Sequence, residues 1–277
     1  FIMRCTDKWL DYELLDASNG ERLERWGDII LIRPDTQIIW NTKKTDYRWN
    51  KAHARYIRSN SGGGHWEKYN IPERWMISYN SLKFHIRAMN FKNTGIFPEQ
   101  AANWEWFSDL IRQRIERLSQ SEAPGNEPAV SVLNLFAYTG GATIACLKAG
   151  AKVTHVDASK GMVQWAKENA NASGVADKNV RWLVDDCLKF VKREIRRGNT
   201  YDAIIMDPPS YGRGPGGEVW KLEQQLGELL SETGKLLSDD AIFFFLNSYT
   251  GGLSPTILNY MVRKNIVGNK CGEVFTD

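Results

Sequence analysis

Residues 130–145 read Val-Ser-Val-Leu-Asn-Leu-Phe-Ala-Tyr-Thr-Gly-Gly-Ala-Thr-Ile-Ala. An apolar run of strand length is followed by a turn with paired glycines and a small-residue helix start. In an open α/β sheet that strand-to-helix turn is where a ligand binds, just beyond the carboxyl end of the strand. Glycines there would let the backbone approach a ligand that a Cβ would block.

From residue 129 onward, strand and helix patterns alternate. Strands are expected at 131–138, 152–157, 180–185, 201–207 and 241–247, the last with three Phe in a row. Helices are expected between them at 142–148, 160–173, 187–197 and 222–237, and again at 254–264. Apolar strands separated by helices of this length predict a parallel, doubly wound Rossmann-like sheet, buried on both faces. Gly272-Glu-Val-Phe is a partial candidate for a closing strand.

The first 92 residues read as a smaller, β-rich domain. Strands are expected at 12–16, 29–33 and 37–40, with turn signals at Asn19-Gly20 and Arg33-Pro34-Asp35. A hairpin is expected around Asn80, pairing 75–79 with 82–87, and Ser61-Gly-Gly-Gly64 reads as a flexible break. Residues 41–60 hold Lys43, Lys44, Arg48, Lys51, Arg55 and Arg58 against one acid, Asp46, with Tyr47, Trp49 and Tyr56 interleaved. Rings for stacking and cations for phosphates suit single-stranded nucleic acid, and a solvated face over ordinary core aromatics is the plain alternative. Residues 93–128 form a connection. A turn at 94–100 leads into a helix with one apolar stripe, Trp104, Phe107, Ile111, Ile115 and Leu118, and then a Pro/Gly linker at 122–128. The remaining domain is 129–277.

Composition narrows the class. At 277 residues, with 42% hydrophobic and 25% charged residues, the chain can bury a large core. A net charge of +3 permits a nucleic-acid partner without demanding one. The four cysteines, Cys5, Cys146, Cys187 and Cys271, lack CxxC spacing. That argues against a disulfide framework or a zinc site and for reduced thiols in a cytoplasmic protein. No run of about 18 apolar residues and no signal peptide is visible. The chain starts without Met, and both ends are expected to be trimmed.

The strand ends carry the candidate chemistry. Tyr138-Thr-Gly140-Gly141-Ala fits neither G-x-G-x-x-G nor a P-loop, which excludes the usual dinucleotide and nucleoside-triphosphate readings. Asp157, at the end of the second strand, could accept from two ribose hydroxyls or cap the next helix through the Asp157–Ser159 pair. Asp185-Asp186 could reach an adenine amino group or cap the following helix. Asp207-Pro208-Pro209-Ser210-Tyr211 is the most specific signal. Two prolines stiffen the turn, so that carbonyls and the Asp project into the cleft as acceptors, and Tyr211 can stack on a base. The Gly-rich stretch 212–221, with Arg213 and Lys221, reads as a mobile lid or a plain flexible loop. Lys189, Lys192, Arg193, Arg196 and Arg197 read as a solvated helix face.

Asn134-Leu-Phe-Ala-Tyr-Thr-Gly-Gly, Val156-Asp157, Trp165-Ala-Lys-Glu-Asn169, Asp186 and Asp207-Pro-Pro-Ser-Tyr together resemble class I S-adenosylmethionine-dependent methyltransferases. The set is similar to the bacterial large-subunit rRNA methyltransferases that modify cytosine at carbon 5. The resemblance covers roughly residues 90–260. It implies a seven-stranded class I sheet, S-adenosyl-L-methionine as cofactor and ribosomal RNA as partner. It also implies that Asn134, Phe136, Tyr138, Thr139 and Gly140 hold the methionine part of the cofactor. Asp157, with Ala158 and Ser159, would hold the ribose, and Asp185, Asp186 and Cys187 would lie by the adenine. Asp207, Pro208, Pro209 and Tyr211 would line the methyl-transfer site. Gly95-Ile-Phe-Pro-Glu-Gln is similar to a family segment that lies against the cofactor, which implies Phe97 and Gln100. Two features depart from the pattern. Residues 1–92 do not match the family's PUA domain, and the loop Leu246-Asn-Ser-Tyr-Thr-Gly-Gly lacks its cysteine. Methylating carbon 5 of cytosine needs that thiolate, because attack at carbon 6 makes carbon 5 nucleophilic. A methyltransferase of a small molecule or protein, and a non-catalytic RNA-binding protein on the same fold, remain alternatives.

Overall fold

A computed structural model describes residues 4–59, 63–89, 91–121, 129–268 and 272–276. The linker at 122–128, Cys271 and residues 61 and 62 of the expected break lie outside the described residues. The chain divides into two compact units, one of Cys5–Ala101 and one of Phe1–Arg4 with Ala102–Asp277.

The Cys5–Ala101 unit is a five-stranded sheet and a separate hairpin. Strands β1 (Tyr12–Ser18), β2 (Glu21–Trp26) and β3 (Ile29–Pro34) form an antiparallel meander. Asn19 and Gly20 both adopt left-handed backbone, at φ 52° and 74°, the conformation that two-residue hairpin turns require. Strand β4 (Ala54–Arg58) joins β3 in parallel, and β5 (Gly64–Lys68) closes the sheet. Strands β6 (Trp75–Tyr79) and β7 (Leu82–Ile86) form the expected hairpin, with Asn80 at φ 51°.

Two expectations for this unit need correction. Residues 37–40 are not a strand. The Ile38 and Trp40 carbonyls accept from the Gly20 and Asn19 amides, so a turn satisfies them in place of a ladder. Ile39 is consequently 90% exposed. Strand β2 went unseen because its central residue is charged. Glu24 is fully buried, accepting from Arg33 Nε at 2.6 Å, Arg33 Nη2 at 2.8 Å and the Tyr12 hydroxyl at 2.9 Å. A charge in a core position is tolerated only when paired in this way.

The larger unit begins with α1 (Ala101–Ser121), preceded by a single 3-10 turn at Pro98–Gln100 that belongs to the other unit. It then alternates as expected: β8 (Ser131–Leu135), α2 (Gly141–Lys148), β9 (Lys152–Asp157), α3 (Lys160–Ala172), β10 (Val180–Val184), α4 (Cys187–Arg196) and β11 (Ala203–Met206). A hairpin of β12 (Tyr211–Arg213) and β13 (Val219–Lys221) follows, so the stretch expected as a mobile loop is ordered structure. The rest is α5 (Leu222–Gly234), β14 (Phe243–Leu246), α6 (Pro255–Val262) and a π-helical turn at Arg263–Val267.

The main sheet is parallel, in the order β10-β9-β8-β11-β14. Five strands of the expected seven are present among the described residues, and Gly272–Phe275 is not a strand. The three Phe of β14 show why its sequence is apolar throughout. Phe243 stacks on Phe107 of α1 at 5.3 Å and Phe245 meets the same ring edge-on at 5.0 Å, while Phe244 packs into the core on the opposite face. Strand order reverses between β8 and β11, which is where such sheets open a crevice. No helix among the described residues is long and apolar enough to cross a membrane.

Candidate functional site

The turn after β8 is held by its neighbours rather than by its own propensity. Phe136 and Tyr138 adopt left-handed backbone at φ 54° and 50°, which costs non-glycine residues energy and tends to mark functional turns. The surroundings compensate. The Phe136 amide donates to Cys187 Sγ at 3.4 Å, the Ala137 amide to the Val156 carbonyl at 3.1 Å and the Tyr138 amide to Asp157 Oδ2 at 2.8 Å.

The paired glycines are closely packed against neighbouring helices. A Cβ on Gly140 would lie 2.9 Å from the Cβ of Ala166 in α3. One on Gly141 would lie 2.8 Å from the Trp104 ring of α1. Asn134 is likewise turned into the core, donating from Nδ2 to Thr143 Oγ1 at 2.9 Å, and Thr143 Oγ1 sits 2.9 Å from His155 Nδ1. The buried Thr139 passes its carbonyl to Asn169 Nδ2 at 3.0 Å. This contact and the Gly140–Ala166 approach explain the Ala and Asn of the Trp165-Ala-Lys-Glu-Asn169 segment.

Asp157 is the last residue of β9, the strand beside β8, and Ala158 after it is half-buried. Its Oδ1 accepts from the Ser159 amide at 2.8 Å, and Oδ2 takes the Tyr138 amide. Ser159 itself caps α3, its hydroxyl accepting from the Met162 amide at 3.4 Å. Asp157 is therefore not the helix cap. Burial pushes its carboxyl up and the two backbone donors pull it down, with burial prevailing. Asp186 does cap α4, accepting from the Lys189 amide at 2.9 Å, and Asp185 pairs with Arg193 on the same helix. Cys187 is buried, and burial pushes its thiol up.

At the end of β11, Asp207 Oδ1 accepts from Asn247 Nδ2 at 2.9 Å. Pro208 is buried and Pro209 exposed. The Pro209 carbonyl does not enter the cleft as expected, because it accepts from Trp220 Nε1 at 2.6 Å. The Trp220 ring packs on Phe136 at 5.0 Å, so one indole ties the Asp-Pro-Pro turn to the turn after β8. Trp220 was not among the candidate site residues. Trp220 carries no motif, and its signal was only a large apolar residue in a Gly-rich stretch. Along α4, Lys189 pairs with Glu218, Lys192 with Glu228 at 2.6 Å and Arg197 with Glu194 at 2.8 Å. Phe97 and Gln100 belong to the other unit, where Phe97 precedes the 3-10 turn and its carbonyl accepts from the Gln100 amide at 3.0 Å.

A family model described as S-adenosylmethionine-dependent methyltransferase matches residues 35–244. The chain belongs to that family. A crystal structure of an S-adenosylmethionine-dependent methyltransferase from Agrobacterium tumefaciens superposes with a TM-score of 0.86 at 36% identity, covering 95% of this chain and 80% of that one. A Streptococcus mutans structure shares the fold, with a TM-score of 0.70 at 20% identity over 95% of this chain and 68% of that one. Among curated proteins, ribosomal RNA large subunit methyltransferase K/L of Shewanella frigidimarina is 30% identical over 168 residues, covering 60% of this chain and 21% of the relative. The K/L enzyme of Shewanella baltica is 27% identical over 254 residues, covering 88% of this chain and 32% of the relative. The chain thus spans a third or less of the length of these curated relatives.

Proposed function

We propose that the chain transfers the activated methyl of S-adenosylmethionine to a base of ribosomal RNA, in the cytoplasm. The carrying observation is that Asp157 ends β9 and Asp207 directly follows β11, the two strands that flank β8 and its strained turn. The fold is read as the seven-stranded class I sheet, of which five strands are described. Residues 129–277 are the catalytic domain, 93–128 the connection and 1–92 the substrate-binding domain.

The residues fit a nucleoside cofactor. Asp157 is an acceptor already aligned by two backbone amides, and each of its oxygens has a lone pair left for a ribose hydroxyl. In this reading Tyr138 and its neighbours border the methionine part, and Asp185 and Asp186 border the adenine. When bound, S-adenosylmethionine supplies an electrophilic methyl group. Asp207, oriented by Asn247, accepts a hydrogen bond from the acceptor base. A nitrogen acceptor fits better than a ring carbon. Cys146 and Cys187, the free thiols described in this unit, are both buried with their thiols pushed up, so neither offers a thiolate. Catalysis then rests on positioning and exclusion of water.

The names of the Shewanella relatives support an RNA acceptor. The basic stretch of the smaller unit adds little to it, because Lys44 and Arg55 pair with Glu21 at 2.7 Å and Arg48 with Asp46 at 2.6 Å, while Trp49 and Tyr56 are buried. Labelled-methyl transfer to ribosomal RNA from a strain lacking the gene tests the reading. Label in a small-molecule extract but not in RNA would overturn the acceptor. Full binding of S-adenosylhomocysteine by an Asp157→Ala variant, measured by calorimetry, would overturn the cofactor site.

A further inference from the structure

The hairpin that follows the Asp-Pro-Pro turn has two unlike faces. Its register pairs Tyr211 with Lys221, Gly212 with Trp220 and Arg213 with Val219. Side chains alternate along a strand and directly opposed residues share a face. Tyr211, Arg213, Val219 and Lys221 therefore lie on one side and Trp220 on the other. Burial agrees, since Trp220 is 6% exposed while Tyr211 is 54% and Val219 45% exposed.

The inner face anchors the hairpin through the indole on Pro209 and Phe136. The tip is closed as well. The Gly214 amide donates to the Glu218 carbonyl at 2.8 Å, and the Gly217 amide to the Gly214 carbonyl at 3.0 Å. Glu218 is the only acid between Asp207 and Leu222, and its carboxylate is taken by Lys189 and, at 2.9 Å, by the Gly216 amide. Arg213 and Lys221 make no ion pair with any described residue. The outer face is thus a rigid ribbon with one exposed ring and two uncompensated cations, beginning four residues after Asp207. A ring that can stack on any base, beside cations that meet phosphates, is the chemistry by which unpaired nucleic acid is held. Four small contacts fall far short of the roughly 800 Å² per partner that a stable protein interface buries.

We propose that the outer face of the β12–β13 hairpin docks unpaired RNA, with Tyr211 stacking on a base and Arg213 and Lys221 meeting the phosphates next to the methyl acceptor. The inference rests on the RNA-methyltransferase reading above and assigns its substrate a surface.

The test is fluorescence anisotropy of the full chain with a labelled, mixed-sequence single-stranded RNA of about a dozen nucleotides, a length one such groove can track. Titrations run across a salt series, with S-adenosylhomocysteine calorimetry in parallel. Arg213→Ala/Lys221→Ala is expected to weaken RNA binding about tenfold and to lower the salt slope by about 1.4, the value for two phosphate contacts on a single strand. Arg213→Lys/Lys221→Arg should keep the wild-type slope. Tyr211→Leu is expected to weaken binding about tenfold with the slope unchanged, and Tyr211→Trp to restore it. The Arg213 and Lys221 variants should bind S-adenosylhomocysteine as wild type does. Wild-type affinity and slope in the double alanine variant would overturn the hairpin proposal and leave the RNA reading intact. A wild-type chain that binds S-adenosylhomocysteine but no RNA would overturn both.

Discussion

Asn247 Nδ2 donates to Asp207 Oδ1 at 2.9 Å, joining the carboxyl ends of β14 and β11. The strands run in register, Met206 opposite Leu246, so these two residues are the next step beyond the sheet on adjacent strands. The amide orients the carboxylate at the strand end. Asn247→Ala should lower kcat about tenfold or more, with little change in KM for the cofactor, since orientation is what is lost. Asn247→Asp should do something different. A second carboxylate at this distance raises the apparent pKa of the pair, moving the acid limb of the pH–rate profile upward. An unmoved profile in Asn247→Asp would show that the two groups do not share the site.

Gly140 cannot gain a methyl group without displacing α3. Its φ is 85° and its Cβ would lie 2.9 Å from that of Ala166. Gly140→Ala should therefore cost about 1–3 kcal/mol in urea unfolding. Combining it with Ala166→Gly should recover only the steric share, because the left-handed backbone still penalises alanine. Wild-type stability in the single variant would refute the packing account of this turn.

His155 makes acid unfolding of the larger unit measurable. Burial, aided by Lys167, pushes its imidazole down to about 3 from an ordinary 6.5. A base whose folded pKa is depressed contributes stability that is fully present above its unfolded value. As pH falls below 6.5 the unfolded chain takes up a proton that the folded chain refuses, down to about pH 3. The loss for this one group approaches about 1.4 kcal/mol per pH unit within that window. Urea unfolding between pH 7 and 5 should show the slope, and His155→Gln should remove one proton's worth of it. An identical slope in that variant would place the titration elsewhere.

In the smaller unit, Glu24 and Arg33 form a buried pair, and removing one partner strands the other charge. Glu24→Ala should cost about 3–5 kcal/mol by equilibrium unfolding. The paired change Glu24→Leu/Arg33→Met should recover most of that, because the two desolvation penalties vanish together. A double variant as unstable as the single one would mean that the pair organises the sheet in some way beyond its own charge balance.

The core of the larger unit was legible because its signals are local. Strand β9 matches its expected limits, Lys152 to Asp157, since its β-branched Val153, Thr154 and Val156 favour a strand. The Asn80 hairpin was legible from alternating strands on either side of a turn residue. Strand β2 was not, because Glu24 is made acceptable by Arg33, nine residues away on another strand. Residues 37–40 misled in the opposite sense, as an apolar run whose backbone partners lie in the Asn19–Gly20 turn.

The candidate site divides along the same line. Strand ends, acids and turn residues were all placed by pattern, since periodicity and backbone preference act over a few residues. Their duties depend on contacts far apart in the chain. Asp186 and Ser159 cap helices while Asp157 accepts the Tyr138 and Ser159 amides. The Gly-rich stretch after Pro209 is ordered because Trp220 finds both the Pro209 carbonyl and Phe136. For the glycine pair after β8, the chain alone shows that no side chain stands at 140 and 141. Only packing against Ala166 and Trp104 shows why, because steric exclusion is a property of neighbours that folding brings together.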